Sequence, residues 1–217
     1  MASSLIHLSA ARRILDQVPF ADPERFRLGE LLPDTASDTR NSPIILHYKK
    51  ADPESGIRIF DLAAFRKQFA DHMQDSLYLG YYCHLIQDAV FRWFVFAYKH
   101  LQTRVPAWDA ETVQNLYHDY SLQNHPLIDR YRITVPAAVD LSDEPIAGIQ
   151  PLDVPRFLAG VHEYFVTPAP EPPEPYMYTL DDTEEFLDIA CAACLAEIGH
   201  LQNGAGQLTG HEWEYRH

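Results

Sequence analysis

The longest apolar run in the chain extends from Leu77 to Tyr98. It reads as one helix that is hydrophobic on nearly every side, the pattern of a helix buried in a core. Around it the polar and apolar positions predict a series of shorter helices. Ser3 or Ser4 can cap a first helix that reaches about Gln17, with Leu5, Leu8, Ala11, Ile14, Leu15 and Val18 as its apolar set. Pro23 suits the first turn of a second helix, Glu24 to Leu31, which stops at Leu32-Pro33-Asp34 because the residue before proline is pushed out of helical geometry. Asp61 caps a helix from Leu62 to about His72, and Asp109 caps another through Val113, Leu116, Tyr117 and Tyr120.

The rest of the chain is weaker in pattern. Asp34 to Gly56 is irregular, with the short apolar run Pro43 to Tyr48 predicted as extended and carrying His47 near its end. Pro151 to Phe165 suggests a short helix. Thr167 to Pro175 is too rich in proline to be helical, and acidic residues from Asp181 open a last helix that ends near Gln202. Strand signals are few, so the expected class is all-α. Residues 1–165 are expected to form a helical domain, with 166–217 a proline-rich connection and a C-terminal helix packed on the same domain.

Composition narrows the function more than the fold. Seventeen basic against 31 acidic residues give a net charge of −14, which argues against nucleic acid because phosphate backbones need clustered Lys and Arg. Asp88 and Arg92 interrupt the longest apolar run, so no membrane span is expected. The first residues lack a basic region followed by an apolar signal core, and the expected location is cytoplasmic. Three cysteines, Cys83, Cys191 and Cys194, are too few for a disulfide framework. The Cys191-x-x-Cys194 pair lies within a helical pattern and reads as two small core side chains.

The chemistry sits in the central helix. His84 and Asp88 are four residues apart and share a face, and a carboxylate in such a helix must be paired or bind a metal. Two explanations are open. In one, Asp88 pairs with Arg92 at i, i+4 and His84 is an ordinary core histidine. In the other, His84 and Asp88 join His7, Asp34 and His47, the further His and Asp residues that fall on apolar faces or chain reversals. Such nitrogen and oxygen donors suit zinc, with iron, manganese or nickel open, in a site that keeps a position for water. The aromatic set Tyr81, Tyr82, Phe91, Trp93 and Phe94 reads first as core and second as a substrate wall.

The order of Ser4-Leu-Ile-His7, Leu31-Leu-Pro-Asp34, His47-Tyr48, Leu79 to Asp88 and Asp119-Tyr120-x-x-x-Asn124 resembles the zinc-dependent phospholipase C family, which shares its fold with the S1/P1 nucleases. The likeness is to a small uncharacterised bacterial branch and covers about residues 1–130. It implies a multi-helix bundle with a metal cluster between its helices. One ion would be held by Asp34, His47, His84 and Asp88, with Asp88 bridging to a second held in part by His7. The second His-x-x-x-Glu dyad of that family is missing here, which leaves one or two ions.

The implied activity is metal-dependent hydrolysis of a small phosphate ester. Asp34 would serve as ligand and proton acceptor, and Arg92 and Asp119 would serve as substrate contacts. The alternative is a metal-binding or interaction protein of the same fold without turnover.

Overall fold

The computed structural model describes residues 2–35, 45–51, 58–104, 108–149, 152–204 and 206–214. Seven α-helices carry these residues: α1 Ser4–Leu15, α2 Pro23–Gly29, α3 Leu62–Gln68, α4 Ser76–Trp93, α5 Ala110–Tyr131, α6 Val154–Val166 and α7 Leu180–Gln202. Most start on a side chain that accepts a hydrogen bond from an otherwise unpaired helix N–H. Asp22, Asp61, Asp75, Asp109 and Asp153 do this for α2 to α6, and Thr179 and Asp182 close a reciprocal capping box on α7. The class is all-α, with one short antiparallel pair, β1 Lys49–Ala51 and β2 Arg58–Phe60, in the register Lys49 opposite Phe60. Three-residue strands are too short to show an alternating pattern in the sequence.

α4 is the axis of the bundle. Every residue from Ser76 to Phe91 is buried, and α1, α2, α3 and α7 all pack against it. The helix expected to run to Tyr98 widens instead into a π-helical turn over Phe94–Tyr98, closed by the Lys99 N–H on Phe94 O at 2.8 Å. That register keeps Phe94 and Val95 buried at the end of the core.

α2 approaches α4 at backbone contact, and two glycines permit it. A Cβ on Gly29 would lie 2.1 Å from Leu77 O, and one on Gly80 would lie 2.0 Å from Phe26 O. Both are closer than any carbon and oxygen can come without bonding. The crossing brings the residue after α2, Glu30, against the middle of α4. α2 ends two residues earlier than the pattern suggested, and Leu32–Asp34 forms a 3₁₀ turn that accommodates Pro33.

One expectation changes shape here. Ile45 and Leu46 form a helical turn rather than an extended run, while Pro43 and Ile44 lie outside the described residues. Leu46 and His47 are adjacent and both buried in this turn, where a half-buried strand would send them to opposite faces. The C-terminal helix is also central: Phe186, Leu187, Ala190, Cys191, Cys194 and Ile198 of α7 join the same apolar core as α1 and α4. Among the described residues, no helix is long and apolar enough to cross a membrane.

Candidate metal centre

Five side chains from two helices and two turns meet beside the middle of α4. His7 comes from α1, Asp34 from the 3₁₀ turn, His47 from the turn before β1, and His84 and Asp88 from α4. All five were expected from the sequence. His47 Nε2 lies 3.3 Å from Asp34 Oδ1, 3.5 Å from Asp88 Oδ2 and 3.3 Å from His84 Nε2. His84 Nε2 lies 3.7 Å from Asp88 Oδ2, and His7 Nε2 lies 3.6 Å from Asp88 Oδ1. His7, His84 and Asp88 are fully buried, and Asp34 is the most accessible member at 15 % side-chain exposure.

These separations suit a tetrahedral ion. With bonds of about 2.0–2.2 Å to nitrogen and oxygen, tetrahedral ligand atoms stand roughly 3.3–3.6 Å apart. The polar bookkeeping points the same way. His7 Nε2 and Asp88 Oδ2 are buried without a hydrogen-bond partner, although such atoms are rarely left alone. His84 donates from Nδ1 to the carbonyl oxygen of Glu30 at 2.7 Å, so its Nε2 carries a lone pair turned toward His47 and Asp88. Burial, and then the neighbouring His7, push the His84 imidazole down to about 3, so the ring is neutral at pH 7. Burial raises the carboxyls of Asp34 and Asp88, but imidazole contacts outweigh it. Contact with the His47 imidazole holds Asp34 below its usual range, and the nearby His7 and His84 rings hold Asp88 well below its own. The donor set is thus two carboxylates and three imidazole nitrogens around a small space, and it fits a divalent cation.

Asp88 directs its carboxylate to these imidazoles and to the Ala2 N–H at 3.2 Å, which favours the cluster over the Arg92 pairing as its environment. Arg92 instead lines a cavity of about 300 Å³ that reaches Asp88, together with Lys49, Phe91, Trp108, Leu116 and Tyr117. A second cavity of about 380 Å³ opens on Asp34 and is lined by Ser4, Tyr117, Tyr120, Asn124 and Tyr164 among others. Of the aromatic set, Tyr81 and Tyr82 stack on Phe65 and are core, while Phe91 is both core and cavity wall.

Asp119 is not part of this site. Its two oxygens accept from the backbone N–H groups of Tyr176, Met177 and Tyr178 at 2.8, 2.9 and 2.8 Å, and its side chain is fully buried. The expected substrate contact is therefore corrected to an anchor that ties the end of the proline-rich connection to α5. With both oxygens held by main-chain donors, it has no face to offer a substrate.

Two residues at the site had no role in the sequence reading. Gln87 accepts from His7 Nδ1 at 2.7 Å, and its own amide donates to Glu30 Oε1 at 2.8 Å. Glu30 is fully buried, and burial pushes its carboxyl well above the usual range against the opposing bond from Gln87. A signal for Glu30 was present: it lies four residues after Phe26 and just before Leu31 and Leu32, on an apolar face. Comparison with family models, with curated proteins and with solved structures found no match in any of the three.

Proposed function

We propose that the chain is a metal-dependent hydrolase of phosphate esters, with Asp34, His47, His84 and Asp88 holding one divalent ion, zinc first among the candidates. The observation that carries this reading is the four contacts of 3.3–3.7 Å that join His47 to Asp34, His84 and Asp88 and His84 to Asp88, together with the orphaned Asp88 Oδ2 that faces both imidazoles. His7 Nε2, on the far side of the Asp88 carboxylate, is the start of a second site. A bound ion supplies acidity to a water molecule and a positive field for phosphoryl oxygens.

The protein's own residues would do the rest. Asp34 is the most accessible of the proposed ligands and lines the second cavity, so it would accept a hydrogen bond from a water on that side and orient it. Its lowered acidity range makes it a weak base, better suited to coordination than to full proton abstraction. Arg92 and Lys49 put positive charge on the wall of the cavity at Asp88, where an anionic ester would lie, and Phe91, Trp108 and Leu116 would take an apolar ester group. Buried imidazoles and aromatic walls keep bulk water from the reacting centre.

A second reading, a metal-binding protein without turnover, is favoured by one observation: four of the five ligands are almost completely buried. One experiment separates the two. Protein purified without added metal is analysed for its elements, then assayed on phosphomonoesters, phosphodiesters and phosphocholine esters. Bound metal with turnover supports the hydrolase. Bound metal without turnover on any ester supports the binding protein, and protein that takes up no metal sinks both.

A further inference from the structure

His7 and His84 stack face to face, with ring centroids 3.8 Å apart and 16° between planes. Both present Nε2 to Asp88, and the Nδ1 of each is tied to the same residue. For His84 the tie is direct, through the Glu30 carbonyl oxygen at 2.7 Å. For His7 it runs through Gln87, whose Nε2 donates to Glu30 Oε1 at 2.8 Å and whose Oε1 then meets His7 Nδ1 at 2.7 Å. We infer that Glu30 is a positioning residue that selects the tautomer of both rings, its main chain acting on His84 and its side chain, relayed by Gln87, on His7.

The alternative for His7 is specific. Were the Gln87 amide reversed, its N–H would donate to His7 Nδ1. The ring proton would then sit on Nε2 and bond to Asp88, making an ordinary buried His–Asp pair with no capacity for a cation. Two contacts oppose it. The His7 Nε2 to Asp88 Oδ1 separation of 3.6 Å is beyond the usual ~2.7–3.2 Å of an N–H···O bond. A reversed amide would also turn the Gln87 oxygen toward Glu30 Oε1, a contact it could keep only by placing a carboxyl proton on that same oxygen. Glu30 thus turns His7 from a partner of Asp88 into a lone-pair donor, which is what a second ion beside Asp88 needs. The consequence for a second ion rests on the metal-site reading above. The tautomer assignment does not.

The test is long-range ¹H–¹⁵N NMR of the full chain in chelator, at about pH 8.5 where imidazoles are ordinarily neutral. The expected result is Nδ1–H for both His7 and His84 in the wild-type protein. Glu30→Leu removes the relay but keeps the carbonyl, so His7 should lose the Nδ1–H form while His84 retains it; Gln87→Leu should do the same. Wild-type His7 protonated at Nε2 overturns the inference, and that reading needs no variant to fold. So does a folded Glu30→Leu protein whose His7 is unchanged.

Zinc titration then supplies a separate readout. Gln87→Leu should weaken the second equivalent by about 10–100-fold and leave the first near wild type. If no zinc binds at any concentration while His7 is Nδ1–H, the metal reading falls and the positioning role of Glu30 is supported.

Discussion

Replacing Gly80 with alanine sets two effects of opposite sign against each other at one carbon atom. In the interior of an exposed helix, glycine to alanine gains about 1 kcal/mol from backbone entropy and helix propensity. At Gly80 the new Cβ would lie 2.0 Å from the main-chain oxygen of Phe26, where real contacts essentially never fall below 3.0 Å. α2 must therefore back away from α4 by about 1 Å, and main-chain atoms cannot move aside as a flexible side chain could. A shift of that size lengthens the 2.7 Å bond between His84 Nδ1 and Glu30 O beyond hydrogen-bonding range.

Overpacking of this kind costs about 1–3 kcal/mol, and a buried donor left without its acceptor costs about 1–3 kcal/mol more. Set against the propensity gain, Gly80→Ala should destabilise by roughly 1–5 kcal/mol in urea unfolding carried out in chelator. It should also lower the zinc content of the purified protein, since His84 loses its orientation. Gly160→Ala in α6 and Gly199→Ala in α7 are the controls: no atom lies within 4 Å of either new Cβ. Both should be neutral to stabilising, by up to about 1 kcal/mol. A Gly80→Ala protein as stable as wild type would refute the backbone-contact argument and the account of how Glu30 reaches the site.

Four further outcomes are expected. Asp88→Asn should reduce bound metal to trace levels by elemental analysis, because it removes the carboxylate shared by three imidazoles; full metal content would show that the site has been misplaced. Free zinc at 100 times its dissociation constant should stabilise the fold by about 2.7 kcal/mol, reversed by chelator, in thermal unfolding at several metal concentrations. Asp119→Ala should cost about 2–4 kcal/mol by stranding three backbone N–H groups of residues 176–178, and should leave KM for any ester that is turned over unchanged. A change in KM without loss of stability would restore Asp119 as a substrate contact.

The fourth outcome concerns Glu30 and pH. Its carboxyl is raised in the folded state, so the folded protein keeps a proton that the unfolded chain releases near pH 4.5. As pH rises above that point the wild type loses stability, by up to about 1.4 kcal/mol per pH unit, until the folded carboxyl ionises. Glu30→Gln has no such loss. It should match the wild type at acid pH and exceed it at pH 7, measured in chelator; curves that stay parallel from pH 4 to 7 would refute the raised acidity range.

How much of this was legible in the chain differs by element. α4, α1 and α5 were visible because their apolar residues repeat at helical spacing and an Asp or Ser stands at the cap. The five candidate ligands were visible as well, since His or Asp on an apolar face or at a chain reversal is costly without a partner. Asp119 was visible as a motif, but its role was not: its partners lie 57 to 59 residues away, just after a proline-rich stretch with no pattern of its own. The turn at Ile45 and Leu46 was misread because five or six apolar residues suit a strand and a buried turn equally well.

Amphipathic periodicity and the cost of burying charge are local, one-dimensional properties. They determined the helical class, the buried central helix and the candidate ligands. What only the tertiary structure decided is which side chains meet. Gly29 and Gly80 are 51 positions apart in sequence, yet together they let two backbones touch and carry Glu30 to His84 and Gln87. Nothing in the spacing of either glycine encodes that contact. It follows from the packing of α2 on α4, and with it comes the orientation of each imidazole around Asp88.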